Sequence, residues 1–127
     1  VDSPDDGARR RSLLIASLTV VAADASAQMA WVDQYQMVTD EIALDFEHAF
    51  RCARGSSTDL DQDVLAYLSA IDVIFDDMSG QGQADCWSSE AVAADLRWSE
   101  ARTLARQALL ALVGAWCLPI PKLRTIE

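Results

Sequence analysis

The stretch Thr58–Met78, TDLDQDVLAYLSAIDVIFDDM, decides the fold class. At 100° per residue, Leu60, Val64, Leu68, Ile71, Phe75 and Met78 fall on one stripe, widened by Tyr67 and Ile74. That is the face of an amphipathic helix. Two acidic rails flank it, with Asp61, Asp72 and Asp76 on one side and Asp59, Asp63 and Asp77 on the other. No base occurs anywhere in the segment. The rails are either the solvated rim of a core helix or a surface for a basic partner. Thr58 with Asp61 has the spacing of a capping box, and Ser79-Gly80-Gln81-Gly82-Gln83 closes the far end.

Working outward, other segments repeat the helical period and none pairs strict alternation with turn chemistry. The chain is 127 residues with five glycines and three prolines, enough for one domain with its own core. These features predict an all-α protein. Short loops between successive long helices favour an antiparallel four-helix bundle. The expected organisation is a frayed tail over 1–8, a helical domain over 9–118 and an extended tail over 119–127, with Ile120 and Leu123 as its apolar contacts.

Before the central helix, Arg9 to Val38 reads as one helix, since Leu14, Leu18, Val21, Ala25, Met29 and Val32 continue a single stripe extended by Trp31, Tyr35 and Val38. The same stretch also resembles a secretory signal: three arginines, the run LLIASLTVVAA, and Ala25-Ser26-Ala27. A retained helix predicts a cytoplasmic protein, and cleavage near residue 27 predicts a secreted one. Thr39-Asp40-Glu41 looks like a new start, with Thr39 as N-cap, leading to a helix with Phe46 and Phe50 in the core; the alternative is an unbroken helix to Arg54, since Val38, Ile42, Phe46, Ala49 and Phe50 keep the period. His48, off that stripe, reads as a surface histidine, and Gly55 suits the C′ position of the helix end.

After the central helix, Ser88 can cap a short extra helix over Glu90 to Ala94. A last long helix is expected over Leu96 to Trp116. Its buried face is read as Ala101, Leu104, Ala105, Ala108, Leu109, Leu112, Ala115 and Trp116, and Pro119 and Pro121 forbid its continuation.

Charge limits the partners. The net charge is −10, which disfavours nucleic acid and anionic membranes as direct partners of the whole molecule. From Asp24 to Asp95 there are 15 acids against only Arg51 and Arg54. The remaining bases sit at the two ends of the chain. A field of one sign steers a basic partner at short range.

The motifs of known chemistry are missing. No GxSxG, HExxH, P-loop or dinucleotide turn occurs, and Gly80 stands where a DDxxD motif needs its last Asp. Glu47 and His48 are adjacent, so the Glu-x-x-His spacing of bundle metal sites is absent. Cys52, Cys86 and Cys117 form no CxxC pair and read as reduced thiols, with Cys52 and Cys117 on or near apolar stripes. The expectation is a protein without catalytic residues, metal or cofactor.

Ile42, Phe46 and Glu47 in IALDFE, then Ile71, Asp72, Phe75, Asp76 and Asp77 in AIDVIFDDM, then Glu100, Leu104 and Leu112 follow one another in order. Over about residues 31–113 this pattern resembles the helical immunity proteins of the colicin D type. The chain departs from it in having no Asp-Pro after the central helix, a Gly/Gln loop in place of an acidic one, and a longer apolar first helix. The resemblance implies a small cytoplasmic protein that covers the basic site of a tRNase toxin, its acids standing in for phosphates. The partner-binding residues expected on that basis are Asp59, Asp61, Asp63, Asp72, Asp76 and Asp77. Carboxylates on rigid helices can form charge-assisted bonds with Arg or Lys of such a nuclease domain. The alternative is a homodimeric helical interaction or regulatory protein, drawing on the apolar excess of Leu13, Leu14, Ile15, Val20 and Val21.

Overall fold

The computed structural model describes residues 4–34, 38–54, 60–80, 82 and 84–117. Tyr35, Gly55, the Thr58 cap, Asp59 and the C-terminal tail with Ile120 and Leu123 lie outside the described residues. The architecture is all-helical, with no strand among the described residues. Among the described residues six α-helices occur in the order α1 (Pro4–Ala22), α2 (Ala25–Gln34), α3 (Asp40–Arg54), α4 (Gln62–Met78), α5 (Ser89–Ala94) and α6 (Leu96–Val113), with a 3₁₀ turn over Ala84–Trp87 before α5.

The central stripe folds as its period dictates. Val64, Leu68, Ile71, Phe75 and Met78 are the buried residues of α4, and Leu60, Tyr67 and Ile74 form its half-buried margin. The helix begins at Gln62, with Asp61 in extended conformation as N-cap and making no side-chain capping bond. Its C-terminal carbonyls are satisfied from outside. Ser79 Oγ donates to the Phe75 carbonyl at 2.9 Å and Trp87 Nε1 to that of Met78 at 2.9 Å.

α1 lies against both α3 and α6, and α6 also packs on α4, while α3 and α4 meet only over a short length. α1 and α6 run antiparallel, since Arg11 reaches the Leu112 carbonyl while Arg106 reaches that of Ala22. The alanine face of α6, with Ala101, Ala105 and Ala108 buried, lets neighbouring backbones approach closely. Burial of aromatic rings ties three helices together. Phe75 of α4 meets Phe46 of α3 at 6.1 Å and Trp98 of α6 at 5.5 Å between ring centroids.

The single first helix expected from the apolar stripe is two helices. α1 and α2 are turned by 117° across Ala23 and Asp24. The turn is fixed by polar partners that periodicity does not register. Gln28 Nε2 donates to the Val20 and Val21 carbonyls, both at 3.0 Å, and its Oε1 accepts from Arg102 Nε at 3.1 Å. Arg106 donates to the Ala22 carbonyl and to Asp24 Oδ1, each at 2.9 Å. Three carbonyls at the end of α1, held by one side-chain amide and one guanidinium, thus stop α1 where the apolar pattern alone would continue it. At its other end α1 reaches back to Pro4, into the stretch read as a tail, because proline at the first helical position forfeits no intrahelical bond.

Three further readings are corrected. α3 starts at Asp40 as expected, but the buried Thr39 hydroxyl donates to the Trp87 carbonyl rather than capping the helix. α6 ends at Val113, because Gly114 takes the left-handed conformation at φ 80° and its N–H closes on Leu110; Ala115 is exposed and Trp116 stacks under Arg106 beyond the helix. Cys86 is the buried cysteine, whereas Cys52 is half-buried and Cys117 exposed. The short helix before α6 is present, capped by Ser88 Oγ accepting from the Ala91 N–H at 3.1 Å.

The apolar excess of the first helix is taken up within the chain. Leu14, Val20 and Val21 are buried, Ile15 is half-buried, and only Leu13 of that group is exposed. Among the described residues no single helix is long and apolar enough to cross a membrane, although the bent α1–α2 pair reaches the required length and composition together.

Candidate functional site

Where α3 and α4 diverge, a cleft of about 660 Å³ opens between them. Three residues of one α3 stripe enter it, Asp40, Leu44 and Glu47, at the i, i+4, i+7 spacing that puts them on one face. From α4 come Asp72 and Asp76, one turn apart. Phe46, Phe75 and Met78 form the floor, and the turn after α4 with Trp87 closes the end. Trp87 is held there by its bond to Met78 and by ring contacts of 6.2 Å with Phe75 and 5.7 Å with Trp98.

The cleft is acidic on its rim and apolar beneath. Glu47 is paired with Arg51 at 2.5 Å, a solvent-exposed contact one helical turn along α3 and worth under about 1 kcal/mol. Arg97–Asp95 and Arg106–Asp24 form further ion pairs. Asp40, Asp72 and Asp76 take part in none of them. Asp72 is half-buried at the edge of the floor, as its place beside the apolar stripe implied. Arg102 and Arg106 hold the α1–α2 corner, and Arg11 caps the end of α6.

The six carboxylates read from the sequence are not gathered into one place. Asp72 and Asp76 line the cleft. Asp61 and Asp63 are exposed at the opposite end of α4, and Asp77 is exposed outside the cleft. Asp59 lies outside the described residues. Asp40 and Glu47 are the members that sequence reasoning missed. Their shared stripe with Leu44 was visible, but not that α3 sets it opposite Asp72 and Asp76.

Elsewhere on α3, His48 is exposed and its Nε2 lies 3.8 Å from Cys52 Sγ. Asp45, on the same side, has its carboxyl raised above the ordinary range by partial desolvation, with Glu41 adding and His48 opposing. Among the described residues no three His, Cys, Asp or Glu side chains are grouped to hold a metal ion. Comparison with protein-family models, with curated proteins and with solved structures finds no match, so the cleft itself carries the functional reading.

Proposed function

We propose that this protein binds a basic protein through the α3–α4 cleft, and specifically that it is an immunity protein neutralising a basic tRNase-type toxin. The observation that carries this reading is the set of carboxylates Asp40, Asp72 and Asp76 around one cleft, in no ion pair among the described residues, with Glu47 beside them paired to Arg51. Like charges held together on rigid helices repel one another, and a cationic surface relieves that repulsion. The protein acts by occupation alone, with no catalytic step, metal or cofactor. The accompanying fold reading is an antiparallel four-helix bundle of α1, α3, α4 and α6, with α2 and α5 across one end. The packing order α3, α1, α6, α4 supports it, and the cleft is then the seam left open. Retention of the first helix, and with it a cytoplasmic location, is supported by Leu14, Leu18 and Val21 in the core.

The test uses the basic C-terminal domain of a toxin encoded beside this gene. Titration calorimetry and a tRNA cleavage assay should give a tight inhibitory complex whose association rate falls with added salt. Asp72→Asn with Asp76→Asn should weaken it about a hundredfold, the scale of losing partners from desolvated charge pairs. Unchanged inhibition by the double variant would remove the cleft from this role. Absence of any such complex would remove the toxin.

A further inference from the structure

Acidic side chains account for attraction to a basic surface, but not for the apolar side chains set among them in the cleft. Leu44 is 52% exposed within it, on the same stripe as Asp40 and Glu47. The Trp87 indole N–H is committed to the Met78 carbonyl, so the ring offers a ligand no free polar group. The cavity, at about 660 Å³, is also larger than any one side chain.

We infer that the cleft takes a short protein segment in which basic residues flank an apolar one, the apolar side chain seated against Leu44 and Trp87. The basic residues meet Asp72 and Asp76 on one wall and Asp40 on the other. Charge selects this occupant over the alternatives. A second copy of the chain would bring a net charge of −10 to an acidic cleft, and nucleic acid would be repelled likewise. The inference rests on the reading of the partner as a basic protein and specifies how that partner is held. Apolar anchors in a pocket ringed by polar contacts carry most of the affinity of many interfaces. Binding should therefore persist at salt concentrations that abolish a purely ionic contact.

Two nine-residue peptides of equal charge test this, one with arginines separated by leucines and the other with the same arginines separated by serines. Amide and indole shifts of the full-length protein in two-dimensional NMR report the site and the affinity. The leucine peptide should bind at least tenfold more tightly, perturb Leu44 and the Trp87 indole, and remain bound at 300 mM salt. Leu44→Ser, a substitution at an exposed position, should abolish the difference between the peptides. Asp72→Asn with Asp76→Asn should weaken both. Equal affinities, shifts centred outside the cleft, or no leucine-dependent binding at millimolar peptide would overturn the inference. The toxin reading fails separately. A leucine preference without any toxin complex leaves the segment-binding cleft standing, and a toxin complex indifferent to Leu44→Ser leaves the immunity role without this mode of docking.

Discussion

At the corner between α1 and α2 charged and amide groups are matched inside the chain, whereas in the α3–α4 cleft carboxylates face one another across open space. Gln28 is fully buried and bonded at both ends of its amide. Arg102 also reaches the Val92 carbonyl of α5, and Arg106 is bound to Ala22 and Asp24 while lying 4.0 Å above the Trp116 ring. Burial pulls the Arg102 guanidinium below its usual pKa, with Arg106 adding to the effect and Asp24 opposing it. These side chains are oriented by what they hold, and removing one leaves buried partners unsatisfied. Among the described residues, Asp40, Asp72 and Asp76 of the cleft take part in no ion pair, and Glu47 holds only the exposed Arg51. The contrast separates polar groups that build the fold from polar groups the fold displays, and mutation should move stability in opposite directions at the two places.

The largest effect is expected at the corner. Gln28→Leu deprives two helix-end carbonyls and one guanidinium N–H of their partner, and should cost about 3 kcal/mol in denaturant unfolding. The melting temperature should fall by roughly 10 °C. A loss below about 1 kcal/mol would mean that water or backbone readily replaces the amide.

Next comes the start of α6, where Asp95 Oδ1 accepts from the Arg97 N–H at 2.8 Å. Asp95→Ala should cost about 1 kcal/mol as a lost N-cap. The Arg97 side chain, and after it the Arg97 N–H, holds the Asp95 carboxyl below the ordinary carboxylate range. Because the folded value is the lower one, this stabilisation is complete above the unfolded pKa of about 4. It is lost as pH falls through the folded value. Asp95→Asn keeps an accepting oxygen and should flatten that acid limb, as pH-dependent unfolding would show.

In the cleft the sign reverses. Asp72→Asn with Asp76→Asn should leave stability unchanged or raise it by up to about 0.5 kcal/mol, while partner affinity collapses. A marked loss of stability would place these carboxylates with the corner residues, among the groups that build the fold. The smallest effect is expected at Asp45, whose folded carboxyl is raised by desolvation and then by Glu41. Its charged form is therefore disfavoured in the folded state. Its contribution to stability is favourable in acid and is lost as pH rises through the raised folded value. Asp45→Asn should remove that slope and bring a slight gain at neutral pH, visible in melts across pH 4 to 7.

What the sequence makes legible is local. The buried set of α4 follows from a single period, and Ser88 announces α5 through its own chemistry. The corner was hidden because its partners are far apart, with Arg102 74 residues beyond Gln28. An apolar stripe running through Ala25 cannot report a stop imposed by another helix. The end expected at Trp116 fell short because the freedom of Gly114 to adopt positive φ ends the helix there. The cleft was half legible. Asp72 and Asp76 stood out as a rail without bases, but their convergence with Asp40 and Glu47 depends on how α3 and α4 diverge, which no period within either helix encodes.

The place of α1 between α3 and α6 has a consequence for synthesis. Arg11 and Leu112 are bonded across 101 positions of chain, so the N-terminal helix waits for almost the last helix before its contacts are complete. During translation the run from Leu14 to Ala22 leaves the ribosome before α6, and the side of it that α6 covers stays open until α6 emerges. That interval gives chaperones or membrane-targeting factors access to a segment that the finished molecule keeps out of reach.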